Sequence, residues 1–283
     1  MEDIKICVDL NNEFDNRLFG LYNAYRERED NVVNESYSKI IGSDTLTEQL
    51  LIDSKKNADF HKLLYAKADS KNILLELALE KRKLWANGKV LKVKFLGGSQ
   101  FLQENVVRYA REWENHANIK FNFTDSGDAE IRIAFMTGKG SWSCVGTDAL
   151  NIQDQSLPTM NFGWFSNTTT STEFNRTITH EFGHCLGCIH EHQSPDSKIN
   201  WNKPAVYDYY KRTQTPPWDE AKVDNNIFKQ FDQKEVTNSE FDTQSIMLYP
   251  IPAELTLDGF SVGMNNYLSR RDIEFIGECY PKT

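Results

Sequence analysis

Residues 89–96 read Lys-Val-Leu-Lys-Val-Lys-Phe-Leu, an alternation of polar and apolar positions with the period of a β-strand. Gly97-Gly98 ends it. Residues 101–116 then carry helical spacing, with Phe101, Val106, Tyr109, Ala110 and Trp113 as the expected inner face. Alternation returns at residues 119–123 and 130–136, and Gly138-Lys139-Gly140 breaks the chain again. Residues 142–145 and 159–164 are short strand candidates. A strand, a helix and three or more further strands predict a twisted mixed sheet with helices on one side. Thr170-Ser171-Thr172-Glu173 has capping-box spacing and opens a predicted helix. Its apolar stripe is Phe174, Ile178, Phe182 and Leu186, and it stops near Gly187. Beyond it helical and irregular segments alternate, punctuated by Pro195, Pro204, Pro216, Pro217, Pro250 and Pro252. A last helix is expected at residues 269–279.

Upstream of residue 88 the pattern is different. The stretch is polar and contains Gly20 and Gly42 but no Pro. Helical spacing recurs at residues 45–64 and 70–84, where Ile73, Leu74, Leu77, Ala78 and Leu84 share a face. Asn87-Gly88 reads as a turn. The chain therefore divides into a helical N-terminal region, residues 1–87, and a larger domain, residues 88–283. There is no internal repeat and no low-complexity tract.

Composition narrows the class. A chain of 283 residues with 39% hydrophobic and 26% charged residues is that of a globular protein with one sizeable core. Its net charge of −9 argues against nucleic acid or an anionic membrane as a partner, since both require a basic face. The first residues, MEDIKICVDLNNEFDN, have neither the basic segment nor the apolar run of a secretory signal. Retention in the cytoplasm, export by a non-classical route and a trimmed chain are the readings this leaves open. The five cysteines, Cys7, Cys144, Cys185, Cys188 and Cys279, are an odd and scattered set, unlike a disulfide framework. They are expected to be mostly reduced and half-buried.

The chemistry is concentrated in residues 180–190, His-Glu-Phe-Gly-His-Cys-Leu-Gly-Cys-Ile-His. Four of the six histidines fall within residues 180–192. His180 and His184, four apart on the predicted helix, lie on one face and can share a metal. Glu181 falls about 100° round the helix from His180, beside that metal, where a general base would reach a bound water. His190 cannot join them along a straight helix, because ten residues of helix rise about 15 Å. Gly187 permits the chain to turn back. Three imidazoles leave a fourth position open, the pattern of a catalytic rather than a structural zinc.

The order His-Glu-x-x-His-x-x-Gly-x-x-His resembles the signature of the metzincin zinc peptidases. Ser245-Ile246-Met247-Leu248-Tyr249 resembles the Met-containing turn of the astacin-like branch. Glu191 directly after the third His, and Pro195-Asp196, match that branch as well. The resemblance covers roughly residues 88–281. It implies an α+β metzincin fold: a twisted mixed sheet, a zinc-binding active-site helix, a Met-turn and a mostly irregular or helical C-terminal subdomain. It also implies a metalloendopeptidase acting on protein or peptide substrates with one catalytic Zn²⁺. His180, His184 and His190 would hold the metal. Glu181 would be the general base towards a zinc-activated water and then the proton donor to the leaving amine. Met247 would form an apolar floor, and Tyr249 would stabilise the oxyanion; a plain core tyrosine is the alternative for Tyr249.

The resemblance implies two further roles, and the remaining residues are read from their positions. Residues 159–165 would be the strand that pairs with the substrate backbone, and Glu191 would pair with a new N-terminus if the chain is processed. His192 is read as a supporting or surface residue, and His61 and His116 as solvated. Cys185 and Cys188 are read as packing residues rather than a redox pair. Departures from the branch are the lack of an evident disulfide set and Ser194 where an Arg is usual. The N-terminal region invites a latency reading, in which Cys7 or an Asp blocks the zinc; a helical accessory region is the alternative. A non-catalytic binding module of the same fold is the competing function, but such a module would usually have lost the Glu or a ligand, and neither is missing.

Overall fold

The computed structural model describes residues 23, 24, 27, 28, 83–231 and 240–282. The helices expected at residues 45–64 and 70–84 fall almost wholly outside these residues, as do Cys7 and His61. No helix among the described residues is long and apolar enough to cross a membrane.

Five strands form one sheet: β1 (Val90–Phe95), β2 (Lys120–Phe123), β3 (Ile131–Ala134), β4 (Ser141–Ser143) and β5 (Met160–Phe162), in the order β2-β1-β3-β5-β4. The pairs β1·β2, β1·β3 and β3·β5 are parallel, and β4 runs antiparallel to β5. The alternation in β1 resolves as expected, with Leu91 and Val93 buried and Val90 and Lys92 exposed. All of β3 is buried, as a strand inside a covered sheet should be.

Between β1 and β2 lies α1 (Gln100–Ala110), capped by Ser99, whose Oγ accepts from the backbone N–H of Leu102. It is shorter than predicted, and its inner stripe is Leu102, Val106 and Ala110 at four-residue spacing. Phe101 stands next to that stripe, 43% exposed, with its ring edge-on to Phe174. Trp113 falls in a following 3-10 turn and reaches the core, donating its indole N–H to Thr179 O at 2.9 Å.

Helix α2 (Ser171–Cys185) packs on the sheet through the expected stripe. Phe174, Ile178 and Phe182 are each at most 1% exposed, and Phe182 meets Phe121 of β2 edge-on at 4.9 Å. Each such side chain contributes about 1.5–3 kcal/mol by leaving water. The expected capping box is half made. Thr170 accepts from Glu173 N, while the Glu173 carboxylate turns to Trp164, Arg176 and Thr177.

The main core continues upstream of residue 88. Trp85 is fully buried; its indole N–H donates to Cys185 O at 2.7 Å, and its backbone N–H to Tyr280 Oη at 3.0 Å. A second cluster joins α3 (Lys203–Thr213), the short α4 (Glu220–Val223) and the π-helical turn Asp224–Phe228 around Val206, Tyr210, Trp218, Ile227 and Tyr249. Helix α5 (Arg270–Cys279) closes the fold, with a complete capping box between Ser269 and Asp272.

Candidate metal centre

The three histidines of the motif converge. His180 and His184 project from α2, and the chain then reverses at Gly187, whose φ is +99°. The reversal is a Schellman motif: Cys188 N–H donates to Gly183 O at 3.0 Å, and Gly187 N–H donates to His184 O at 2.8 Å. It returns His190 beside its partners. The Nε2 atom of His184 lies 3.2 Å from that of His180 and 3.0 Å from that of His190. One ligand atom from each of the three falls within 4.8 Å of the others, and all three residues are buried.

The far side of each ring fixes its tautomer. His180 Nδ1 donates to Ile246 O at 2.8 Å, and His184 Nδ1 to Cys188 O at 2.9 Å. His190 Nδ1 faces Gln193 Oε1 at 3.3 Å. A carbonyl oxygen only accepts, so each Nδ1 carries the proton and each Nε2 turns a lone pair inward. Three lone pairs this close have no proton to share and repel unless a cation lies between them. Burial, followed by the neighbouring His184 and His190, also holds His180 well below its ordinary range and keeps it neutral. The donor set and the outer hydrogen bonds therefore fit a borderline cation such as zinc.

Glu181 is fully buried one residue from His180. Together with His180 and Tyr249 it lines an open pocket whose other walls include Trp164, Leu248 and Pro250. Tyr249 is 4% exposed, with its ring centroid 4.3 Å from that of His190 and 6.2 Å from that of His180. Met247 lies directly against the ligand helix: a Cβ on Gly183 would come within 2.5 Å of its Sδ. Its carbonyl accepts from Glu191 N at 3.1 Å, tying the Met-turn to the segment that carries His190.

Helix α5 holds this turn in place. Asp272 accepts from Ser245 Oγ at 2.7 Å and from Ile246 N at 2.8 Å, so the residue whose carbonyl orients His180 is itself held from the C-terminal helix. Burial raises the Asp272 carboxyl above its usual range, against these hydrogen bonds. Glu191 accepts from Asp242 N at 2.8 Å, and burial pushes its carboxyl up to about 7.

Some residues fall elsewhere than the sequence suggested. Strand β5, the expected partner of a substrate backbone, is paired on both sides, and β4 forms the sheet edge next to it. His192, by contrast, takes the supporting place of the two expected for it, outside the ligand cluster. It is 1% exposed, lies with its ring tilted against that of Tyr249 at 4.7 Å between centroids, and shares a hydrogen bond of 2.8 Å with Asn226 O. His116 is half-buried against Glu112. Cys144, Cys185, Cys188 and Cys279 form no disulfide with one another, and burial pushes the Cys144 thiol up to about 12. Gly183, Gln193 and Asp272 were not singled out by the motifs. For Asp272 a signal existed, the Ser-x-x-Asp spacing of a cap; for Gln193 there was none.

Comparison with known proteins gives the family and the fold. The model of the astacin peptidase family matches residues 78–255. A structure of myroilysin superposes with a TM-score of 0.69 at 48% identity, over 71% of this chain and 97% of that one. A second myroilysin structure gives a TM-score of 0.56 at 48% identity, over 71% and 86% of the two chains. Protein SpAN of Strongylocentrotus purpuratus is 28% identical over 197 residues, which are 63% of this chain but 28% of SpAN.

Proposed function

We propose that this chain, which belongs to the astacin family of peptidases, is a zinc-dependent metalloendopeptidase that hydrolyses internal bonds of proteins or peptides. The observation that carries the reading is the set of three buried imidazoles with inward lone pairs, beside a fully buried glutamate at the wall of a pocket. His180, His184 and His190 would hold the metal. What zinc supplies when bound is Lewis acidity, enough to bring the pKa of a water towards about 7 and to polarise the scissile carbonyl. Glu181 takes the proton of the attacking water and delivers it to the leaving amine nitrogen. One buried carboxylate serves both transfers because it faces the same pocket throughout. Tyr249 donates its phenolic hydrogen to the oxygen on which negative charge develops. Met247 keeps the underside of the site apolar and the ligand helix in register.

The N-terminal region holds the enzyme latent in this reading, and its removal raises activity.

The test compares wild type with Glu181→Ala on a denatured protein substrate, with zinc content measured on both. Wild type should carry about one zinc per chain and lose activity to a chelator. Glu181→Ala should keep its zinc and lose about 10²–10⁴-fold in rate. A wild-type chain that stays metal-free in added zinc would sink the proposal. So would a Glu181→Ala variant as fast as wild type.

A further inference from the structure

The three candidate ligands are not oriented alike. His180 and His184 donate to backbone carbonyls, of Ile246 and Cys188. His190 is served by a side chain, Gln193, which is 1% exposed. Gln193 is held from several directions. Its backbone N–H donates to His190 O at 3.0 Å, and its carbonyl accepts from Phe231 N at 3.0 Å. Its side-chain Nε2 donates to Asn225 O at 3.1 Å. Because that carbonyl can only accept, the amide has one orientation: NH₂ towards Asn225 and Oε1 towards the imidazole of His190.

The clamp on Gln193 comes from an unusual element. Helix α4 runs on into the π-helical turn Asp224–Phe228, where Lys229 N–H closes on Asp224 O at 2.8 Å, five residues back. The next two carbonyls, of Asn225 and Asn226, stand near the end of this turn. Both face the ligand segment. Asn225 O takes Gln193 Nε2, and Asn226 O takes His192 Nε2 at 2.8 Å.

We propose that Gln193, clamped by the π-turn, is a positioning residue for His190. Its Oε1 fixes the proton of His190 on Nδ1 and so keeps the Nε2 lone pair directed at the metal position. This rests on the three histidines being the zinc site. The geometry assigns the third ligand a support that is a replaceable side chain, unlike the other two.

The experiment uses the full chain, stripped of metal and titrated with zinc against a chromophoric chelator, with the visible absorption of the cobalt(II) form as a second readout. Gln193→Met removes the acceptor and should weaken zinc binding about 10–100-fold and shift the cobalt band. Gln193→Glu keeps an acceptor for Nδ1–H but loses the donor to Asn225, so it disturbs the π-turn no less. It should nevertheless recover most of the affinity. A purely structural role for Gln193 would instead make the two variants equally weak. The inference is overturned if Gln193→Met binds zinc within about twofold of wild type, or if Gln193→Glu binds no better than Gln193→Met. A wild-type chain that binds no zinc would overturn the site itself, a separate result.

Discussion

Gly183 shows how narrowly a single residue is fixed beside the metal position. It sits in α2 between the two helical histidines, where a Cβ would meet Met247 Sδ at 2.5 Å and Trp113 Cζ2 at 3.1 Å. The thioether can swing aside, but the indole is tied to Thr179 O. Gly183→Ala should therefore cost about 1–3 kcal/mol as overpacking. At about 2–4 °C per kcal/mol for a domain of this size, the melting temperature should fall by several degrees. Thermal unfolding of the metal-free form is the measurement, and an unchanged midpoint would mean that Met247 is not seated against the helix. The motif showed that this position lies between ligands. It could not show that the Met-turn presses on it, because that contact joins residues 64 apart in the chain.

At the scale of elements, the ligand helix depends on its own C-terminal reversal and on the Met-turn beside it. Its C-terminal reversal depends on Gly187, where φ of +99° is out of reach of a side chain without strain, and where Leu84 Cδ2 would lie 3.1 Å from an added Cβ. The last helix contributes through Asp272, which receives the Ser245 hydroxyl and the Ile246 N–H of the Met-turn. Asp272→Ala strands both donors in a buried site, at about 1–3 kcal/mol for each group left unsatisfied. It should also weaken zinc binding, because Asp272 holds the N–H of Ile246, whose carbonyl orients His180. Chelator competition on Asp272→Ala and Asp272→Asn would check this. Retention of wild-type affinity in both would show that the turn holds without the helix. The last helix and its Ser269 cap were readable from spacing. That the same carboxylate also serves the Met-turn was not.

For the whole molecule, the question is where the peptidase begins. The change in patterning suggested residue 88, yet Trp85 is fully buried and bonded to both Cys185 O and Tyr280 Oη. Lys83 pairs with Asp148, and Lys83 O accepts from Thr147 N at 3.0 Å. A form lacking residues 1–87 would lose a buried tryptophan, with a cost of about 3–5 kcal/mol. A form starting at residue 78, where the family match begins, keeps it. The longer form should melt higher and, if the N-terminal region is inhibitory, cleave faster than the full chain. Parallel melting curves and rates of the three forms decide the matter. Equal stability of the forms starting at 78 and 88 would show that the Trp85 contacts contribute little.

The sequence by itself determined the parts whose physics is local. Helical spacing put His180, Glu181 and His184 on one helix, the need for positive φ made Gly187 the turning point, and alternation located the strands within a few residues. Three imidazoles and a carboxylate pointed to a metal site with an open position, and the resemblance of their motif to the metzincins implied the peptidase reaction. Only the tertiary structure decided the rest, because it depends on segments distant in the chain meeting in space. Sheet order put β4 and not β5 at the sheet edge. The upstream tryptophan became part of the core. The outer hydrogen bond of His180 comes from Ile246, 66 residues on; those of His184 and His190 come from Cys188 and Gln193, near in the chain, yet a backbone carbonyl leaves no mark in the sequence and Gln193 is aimed by a π-turn 32 residues further on.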